Sequence, residues 1–433
     1  MNMISPYVQY MYSYPHKTAY GELTGIHLRD YVDRLSQQEN SLYFHIPFCQ
    51  SKCGYCNLFS VTGQKEVFME AYVDAMERHA HQLAEVLPKE AKFVDLTLGG
   101  GTPLLLSEAQ LERVFGMAES VLGFACGSGP VVVETSPAQT TKEKLEILQA
   151  HNVTRVSMGV QSFFDEELKT LNRAHRVAEV ERAMELLKDA SFPCLNLDLI
   201  YGIPGQTLEH LLTSAKRAVS YEPEELFVYP LYIKEGTYLA SRGTVPPEDT
   251  HEMYVALREY LKSEGYVPYS MRRFVKKGNP TDMGSCGFDS TLSIGCGGRS
   301  YVGNLHFCTP YAVRQSTCLS ILQQYIEEED YLQVRHGYML STEEQRRRYV
   351  IKNILFGCGL DKKEYRLLFT GEPEQDYPEL KQWIEEGMAV VTENRMYLTE
   401  EGVGLSDYLG PMLISEEVRG KMERSLVSPF TRR

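Results

Sequence analysis

The sequence lacks the features that mark nucleic-acid-binding and membrane-spanning proteins. Its 44 lysine and arginine residues are outnumbered by 58 aspartate and glutamate residues, and the net charge is −14. This balance argues against non-specific binding to nucleic acid or to an anionic membrane surface. No apolar stretch approaches the roughly 20 residues of a membrane-spanning helix, and no basic segment followed by an apolar run marks a signal peptide. We expect a cytoplasmic protein without an integral membrane segment or a nucleic-acid partner.

A disulfide framework is also not expected, because ten cysteines in a 433-residue chain without an export signal suit a reducing compartment. Three of them, Cys49, Cys53 and Cys56, form the motif C-x3-C-x2-C. Thiolates are the ligands of iron–sulfur clusters, and three on one short loop can converge on a single cluster. Since no fourth cysteine follows nearby, one iron keeps an open position at which chemistry can occur. The motif predicts a site-differentiated [4Fe–4S] cluster.

Other interpretations of the cysteines remain open. Zinc knuckles pair two C-x2-C motifs, and a redox C-x-x-C leaves Cys49 without a role. Three structural cysteines this close together are unusual, because free cysteine generally packs singly. A second, auxiliary cluster is an alternative for four further residues whose long spacings match no ferredoxin pattern. These residues are Cys286, Cys296, Cys308 and Cys318, and isolated buried or free thiols are the other explanation for them.

Short apolar runs alternate with helical patterns from residue 41 onward. The helix predicted over Glu66–Val86 carries apolar residues near a period of 3.6. Strand–helix alternation predicts a parallel sheet with crossover helices. The predicted strands are Leu42–Ile46, Phe93–Leu98, Val131–Glu134, Val153–Met158, Leu195–Ile200 and Leu226–Tyr229. Six such units predict an α/β fold, a partial (β/α)6 TIM-like barrel followed by a helical or winged-helix-like domain.

We divide the chain into a tyrosine-rich N-terminal arm, a barrel with its extension, and a C-terminal helical or winged-helix-like domain, at residues 1–40, 41–310 and 311–433. The C-terminal part has helical patterns and a hairpin at 390–398, but it is too acidic for a DNA reader. The arm either packs its rings on the next domain or covers a planar aromatic ligand, with His16 or Lys17 meeting its acid groups.

Each predicted strand ends in residues that are unusual for a core, and in parallel barrels these ends build the site. The glycine run at 99–101 lets backbone amides approach a ligand, although a tight turn is the simpler interpretation and no Walker lysine follows. Buried carboxylates at Glu134 and Asp198 need donors, such as ribose hydroxyls or an ammonium, unless Asp198 caps its turn. Arg173 can pair with a carboxylate, and Gln161 can donate and accept.

Several ordered motifs resemble the radical S-adenosylmethionine (SAM) superfamily. Within it the chain is similar to the branch of oxygen-independent coproporphyrinogen III oxidases and haem chaperones, and its opening residues resemble a bacterial offshoot of that branch. The motifs are Tyr43-x-His-Ile-Pro-Phe-Cys, the C-x3-C-x2-C spacing, Gly-Gly-Gly-Thr-Pro, Gly159-Val-Gln-Ser-Phe163, Leu171-x-Arg-x-His175 and Asp198-Leu-Ile-Tyr-Gly-x-Pro204.

The resemblance implies a role for each matching position. The three cysteines would bind the cluster, and SAM would chelate its open iron. Tyr43 and Glu134 are the residues we predict to be catalytic. The SAM contacts would be Gly100, Gly101 and Thr102 at the methionyl end, Glu134 and Arg173 at its charged groups, Gln161 and Asp198 at the ribose, and Tyr43, Tyr55 and Pro230 near the sulfonium and adenine.

The implied activity begins when one electron, from a flavodoxin- or ferredoxin-type donor, cleaves SAM to methionine and a 5′-deoxyadenosyl radical. This radical would abstract hydrogen from a tetrapyrrole-like substrate, and the resemblance implies a porphyrin or haem. The alternatives are a haem-binding or haem-delivery chaperone with little turnover, and a two-SAM methylase or cyclase of a specialised metabolite. The protein would protect the cluster from oxygen and exclude water from the reacting atoms.

Two departures from the family pattern weaken the expectation of porphyrinogen decarboxylation. Leu58 stands where the oxidases carry a further cysteine, as in the chaperone-like members, and the segment 272–276 reads Arg-Arg-Phe-Val-Lys instead of the usual asparagine-containing segment. The basic residues Arg272, Arg273, Lys276 and Arg299 either bind substrate carboxylates or form a solvated patch.

Overall fold

A computed structural model describes residues 6–279 and 290–427. Its strands are β1 (Gly21–His27), β2 (Glu39–Ile46), β3 (Phe48–Cys49), β4 (Val61–Thr62), β5 (Lys92–Gly100), β6 (Val131–Thr135), β7 (Arg155–Gln161), β8 (Cys194–Tyr201), β9 (Glu225–Pro230), β10 (Tyr266–Pro268), β11 (Arg273–Lys276), β12 (Ser290–Ile294), β13 (Arg299–Val302), β14 (Leu305–Cys308), β15 (Gln333–Met339), β16 (Leu360–Asp361), β17 (Ala389–Val391) and β18 (Arg395–Leu398).

Helices occupy the connections between these strands. They are α1 (Glu66–Val86), α2 (Glu108–Gly116), α3 (Lys142–Ala150), α4 (Asp165–Thr170), α5 (Val177–Ala190), α6 (Leu208–Ser220), α7 (Tyr238–Ser241), α8 (Thr250–Ser263), α9 (Gln315–Ile326), α10 (Thr342–Ile354), α11 (Lys362–Phe369), α12 (Pro373–Asp376), α13 (Pro378–Glu385), α14 (Glu400–Gly404), α15 (Ser406–Met412) and α16 (Glu416–Val427). Among the helices of the described ranges, none combines the length and the apolar character needed to cross a bilayer.

The six strands β2, β5, β6, β7, β8 and β9 pair in parallel in that order. Each contains most of one predicted strand, and the ends differ by a few residues. Crossover helices cover the sheet, so strand side chains are buried in near-continuous runs, as in β6 with its pattern Val-Val-Val-Glu-Thr. The predicted α/β fold with a partial six-unit parallel barrel is confirmed.

The sheet continues beyond the barrel at both edges. Strand β12 pairs in parallel with β2, and β13, β14, β15 and β1 follow in antiparallel pairs. At the other edge, β11 and β10 add antiparallel to β9. The N-terminal arm therefore contributes an edge strand, because Gly21–His27 pairs with Gln333–Met339.

A second hydrophobic core lies in the C-terminal region. It surrounds the fully buried Trp383, and the small sheet β16-β18-β17 with its helices has the winged form expected from the hairpin. Tyr14 and Tyr20 of the arm are buried in this core, so these rings pack with the C-terminal region and not with the next domain along the chain. Helix α9 and the start of β15 pack instead with the barrel core, and the domain boundaries at 40 and 310 remain predictions.

A buried ion pair joins the barrel extension to the C-terminal helices. The guanidinium of Arg272 contacts Asp407 of α15, and their side chains are 4% and 1% exposed. The hydroxyl of Tyr232 also donates to Asp407. Arg273 is paired in the same way with the buried Glu225. Arg272 is neutralised by Asp407, and Arg273 is buried in a pair with Glu225, so these two arginines are not a solvated patch.

We predict that Asp407→Ala destabilises the fold by about 3–5 kcal/mol, because it leaves the Arg272 charge buried without a partner. Denaturant unfolding measures the change. Glu385→Ala is the matched control, since its pair with Lys381 is 67% and 71% exposed and contributes roughly 0–1 kcal/mol. Equal losses in the two variants would contradict the structural role of the Arg272–Asp407 pair.

Candidate functional site

A cavity of about 750 Å³ opens at the carboxyl ends of the parallel strands, within the range of ligand pockets. Its lining includes Cys49, Cys53, Tyr55, Cys56, Gly100, Gly101, Thr102, Glu134, Gln161, Arg173, Asp198 and Pro230. Tyr43 is not part of the lining, and its hydroxyl instead shares a hydrogen bond of 3.2 Å with His45 Nδ1. The structure thus brings together all of the predicted site residues except Tyr43, and their individual roles remain predictions.

The cysteine loop is fastened to the glycine run by main-chain hydrogen bonds. The amide of Gly101 donates to the carbonyl of Ile46 at 2.7 Å, and the amide of Thr102 donates to the carbonyl of Phe48 at 2.8 Å. A Cβ atom at Gly101 would lie 2.6 Å from the Phe48 oxygen and 3.0 Å from Cys49 Sγ. Glycine is therefore required at 101 by close approach of the two loops.

The far side of the loop is fastened to the segment that follows α4. The amide of Gly54 donates to the carbonyl of Leu171, and the amide of Leu239 donates to the carbonyl of Gly54, both at 2.8 Å. The side chain of Asn172 donates to the carbonyl of Lys52 at 3.0 Å. With both sides held by backbone bonds, the positions of the three sulfurs are set by the fold rather than by a flexible loop.

The donor set fits an iron–sulfur cluster. The three thiols line one cavity, but their sulfurs are not gathered within the 4.8 Å that suits one metal ion. This separation agrees with thiolates that bind different irons of one cluster. Arg173 Nη1 donates to Cys53 Sγ at 3.0 Å, which would stabilise thiolate charge. Burial raises the pKa of Cys49 to about 12, so iron must displace a proton there.

A buried carboxylate lies behind the glycine run. Glu134 Oε2 accepts from the amide of Gly100 at 3.0 Å. Gly100 has φ +113°, and a Cβ atom there would lie 2.6 Å from the His45 ring. Burial, together with the carboxylate of Asp198, raises the pKa of Glu134 to about 7, and burial raises the pKa of Asp198 to about 6. Both carboxylates therefore favour a cationic or hydrogen-bond-donating ligand.

Gln161 and Arg173 share the space above Gly159. Gln161 has φ +74°, an uncommon conformation for a residue other than glycine and one found at functional sites. A Cβ atom at Gly159 would lie 2.8 Å from Gln161 Nε2 and 3.3 Å from Arg173 Nη2. Arg173 Nη2 donates to the Gly159 carbonyl at 2.6 Å, whereas its buried Nε has no hydrogen-bond partner. An unsatisfied buried donor in a cavity lining suits a ligand acceptor.

Two polar residues in the barrel interior were missed by the sequence analysis. Asn196 Nδ2 donates to Asp198 Oδ1 at 2.8 Å and to Ser157 Oγ at 3.0 Å, and Arg155 is paired with Glu225 at 2.9 Å. Asn196 lies two positions before Asp198 in one strand and so points to the same face, which was a usable signal. Arg155 carried none, because its partner is distant in sequence.

The N-terminal arm forms one wall of the cavity. Tyr10, Tyr12 and His16 line it together with Arg299, which donates to Ser13 and lies 4.5 Å from the centroid of the Tyr12 ring. Lys234 and Arg314 add further positive charge to the lining. This wall therefore combines aromatic faces with cations. Lys17 lies outside the lining, 4.5 Å from the centroid of the Tyr311 ring.

The auxiliary cluster stays a prediction. Cys286 lies outside the described residues. Cys296 and Cys318 are buried and free, and Cys308 is half-buried and free. Within residues 6–279 and 290–427, Cys296, Cys308 and Cys318 do not form a site for a single metal ion, which does not test a cluster, because cluster thiolates bind different irons.

Fold and site together define a class of protein: a partial parallel barrel with three thiols on a loop that lines a large cavity at the carboxyl ends of the strands. Residues 43–218 match the Radical SAM superfamily. The chain is 32% identical over 267 residues to the heme chaperone HemW of Escherichia coli strain K12, covering 60% of this chain and 70% of the relative. It is 29% identical over 374 residues to HemW of Bacillus subtilis strain 168, covering 84% and 96%.

A further relative is the oxygen-independent coproporphyrinogen III oxidase of Bradyrhizobium diazoefficiens, 25% identical over 408 residues, covering 86% of this chain and 87% of the relative. The crystal structure of the oxidase HemN from Escherichia coli has the same fold, with a TM-score of 0.80, 22% identity, and coverage of 93% of this chain and 96% of that chain. The chain belongs to the radical SAM superfamily, in the HemN and HemW branch. Its cofactors are those of the superfamily, a [4Fe–4S] cluster and SAM.

We predict that Glu134→Gln flattens the pH dependence of stability. The folded-state pKa of about 7 lies above the unfolded value of about 4.3, so the folded parent holds an extra proton between these values. Its free energy of unfolding therefore falls by up to about 1.4 kcal/mol per pH unit as the pH rises through this range. The glutamine variant, which can still accept from Gly100, loses that contribution in denaturant titrations without SAM. Parallel slopes for parent and variant would contradict the raised pKa.

Proposed function

We propose that this chain is a SAM-dependent radical enzyme whose substrate is a tetrapyrrole-like molecule. The observation that carries the proposal is the continuity of one cavity, which is lined both by the three cysteines and by the aromatic, cationic wall of the arm. When bound, the cluster and SAM supply a 5′-deoxyadenosyl radical for hydrogen abstraction. A flavodoxin- or ferredoxin-type protein is the proposed source of the electron.

In this proposal the cysteines hold the cluster, and the strand ends hold SAM. The carboxylate of Glu134 accepts the ammonium of the methionyl end, and the guanidinium of Arg173 binds its carboxylate while its Nη1 faces Cys53. Asp198 and Gln161 bind the ribose hydroxyls, since a carboxylate accepts from both hydroxyls and an amide can donate as well as accept. Tyr55 lies in the same lining and offers a ring for the adenine. Tyr43 acts indirectly, through the ring of His45 behind Gly100.

The substrate in this proposal lies between the SAM residues and the arm. Tyr10 and Tyr12 offer aromatic faces to a planar ring system, and Arg299, Lys234 and Arg314 offer charges to peripheral carboxylates. Arg272 is neutralised by Asp407, and Arg273 is held by Glu225, which it shares with Arg155, so neither is assigned to the substrate. A substrate bound between the arm and the strand ends would exclude water from the reacting atoms.

We predict that Cys53→Ala abolishes both the charge-transfer absorbance of the cluster and the reductive cleavage of SAM, because two thiolates cannot retain the site-differentiated cluster. Anaerobic reconstitution followed by visible spectroscopy and assay of 5′-deoxyadenosine measures both. Cys358→Ala removes an exposed free thiol and is the control that keeps full activity. Cleavage that survives in Cys53→Ala would show that the ligand assignment is wrong.

Haem binding with little turnover is the second candidate function. Two observations favour it: the relatives with 32% and 29% identity are named heme chaperones, and the cavity wall presents His16 and Tyr12, residue types that bind haem iron. His16 Nε2 shares a hydrogen bond of 3.1 Å with the Tyr12 hydroxyl, which haem binding through either residue would break.

One anaerobic experiment separates these functions. The reduced, reconstituted protein is given SAM with coproporphyrinogen III, with its tetramethyl ester, or with haem, and the products are followed by mass spectrometry. 5′-Deoxyadenosine that rises only with the free porphyrinogen supports the enzyme, and the uncharged ester is the control for recognition of carboxylates. Tight stoichiometric haem binding without 5′-deoxyadenosine supports the chaperone. A methylated product with S-adenosylhomocysteine would overturn both in favour of a two-SAM methylase.

We predict that Arg299→Gln raises the KM for the free porphyrinogen at least 10-fold, since a charge-assisted hydrogen bond contributes about 1.5–3 kcal/mol. Arg299→Lys keeps the charge and should show a smaller increase. An unchanged KM in Arg299→Gln would show that Arg299 does not bind the substrate and would contradict the proposed position of the substrate against the arm.

A further inference from the structure

A second cluster of metal-ligand side chains lies among the crossover helices. Glu119 is in the π-helical turn Met117–Val121 that follows α2, Cys126 is in the connection to β6, and His151 caps the C-terminus of α3. One ligand atom of each residue lies within 4.8 Å of the other two. None of the three lines the cavity that contains the cysteine loop, so this cluster is separate from the site described above.

The imidazole of His151 is held in one orientation by three neighbours. Its Nε2 lies 2.8 Å from Glu112 Oε2, and its Nδ1 lies 3.2 Å from Glu119 Oε2. Its ring stacks on Phe115, with centroids 4.3 Å apart and an interplanar angle of 8°. A neutral imidazole has only one N–H and cannot donate to two carboxylates at once. There are two arrangements that satisfy both contacts. Either the ring is an imidazolium, or Nδ1 and the Glu119 carboxylate both bind the same cation.

The remaining contacts favour the second arrangement. A histidine that binds a metal generally donates its other N–H to a carboxylate, which fixes the ring orientation, and Glu112 is placed to accept from Nε2 in this way. The Cys126 thiol lies within 4.8 Å of the same carboxylate and imidazole, so a third side chain of a type that binds zinc completes the group. The Cys126 backbone is held by Asn152, whose Nδ2 donates to its carbonyl at 3.3 Å.

We propose that Glu119, Cys126 and His151 form a zinc site, with Glu112 orienting His151. Thiolate and imidazole ligands suit Zn²⁺ among the common divalent ions. Three protein ligands leave the fourth tetrahedral position to water, and the Cys126 thiol releases its proton to solvent on binding. The side chains of His151 and Glu119 are 14% and 33% exposed, so an ion reaches the site directly from solvent.

The bound ion joins three separate segments: the turn after α2, the connection before β6 and the end of α3. Because the unfolded chain does not hold these ligands together, zinc binding stabilises the folded state. The site therefore contributes to the stability of the fold, and it is independent of the proposed function. Its variants should leave the rate of SAM cleavage unchanged.

The test is zinc binding by the reconstituted protein, in which the cluster occupies Cys49, Cys53 and Cys56. Competition with a chromophoric zinc chelator should give one Zn²⁺ per chain, with a rise in thermal midpoint. We expect Cys126→Ala and His151→Ala each to weaken binding more than 10-fold and Glu112→Gln to weaken it about 10- to 100-fold. Glu119→Gln is the conservative variant that preserves size and hydrogen bonding if the alanine variants fold poorly. Cys358→Ala and Glu146→Gln are controls that keep the parent affinity.

A second measurement separates this site from the cluster cysteines. In the full chain with Cys49, Cys53 and Cys56 all changed to alanine, Co²⁺ should give a thiolate charge-transfer band that disappears on adding Cys126→Ala. Zinc binding that is unaffected by Cys126→Ala and Glu119→Gln, or a Co²⁺ band that is lost with the cluster cysteines alone, would overturn the proposal.

Discussion

The site depends on the hydrogen bonds that join the base of the cysteine loop to the glycine run. Strands β2 and β5 are parallel neighbours, so their carboxyl ends lie side by side, and the amides of Gly101 and Thr102 cross to carbonyls at the end of β2 and just beyond it. The same run gives the amide of Gly100 to Glu134 on the third strand. A side chain at 101 would strike both a carbonyl oxygen and Cys49 Sγ. The absence of a side chain at this one position therefore lets the cysteine loop lie against the strand ends.

The ionisable groups around the glycine run lack some of the partners that buried charged groups usually have. Glu134 and Asp198 are carboxyls whose burial raises their pKa values, while Arg173 and Arg155 each keep a buried Nε without a hydrogen-bond partner. An unpartnered Nε is not confined to the cavity, because Arg272, whose guanidinium is paired with Asp407, also has one. Mismatched groups that converge on a cavity are typical of a binding site, because a ligand completes them.

The arm connects the two hydrophobic cores to the cavity. Tyr14 and Tyr20 pack in the C-terminal core, whereas Tyr10 and Tyr12 face the cavity. The arm therefore packs against the rest of the fold at some tyrosines and lines the cavity at others, and its role as a cover for a planar ligand stays a prediction. The basic segment at 272–276, which resembles a substrate-binding feature in the sequence, is structural at Arg272 and Arg273, because both guanidiniums are buried against acids from distant elements.

The sequence by itself determined the α/β alternation, the six parallel strands, the loop with three cysteines and most of the residues at the strand ends. These features depend on local periodicity and on the rule that parallel strands end at one edge, so they can be read without distances. The helical patterns and the hairpin of the C-terminal region likewise predict its winged form.

The tertiary structure decided which charged side chains are paired and which residues that are distant in the sequence come into contact. Tyr43 belongs to a matching motif, yet its side chain reaches His45 and not the cavity. Arg155 and Arg273 share the buried Glu225, and the Glu119, Cys126 and His151 group comes from three separate segments. Spacing along the chain cannot reveal such partners, because long-range pairing and burial set the energy of a charge, and both exist only once the sheet and its helices have packed.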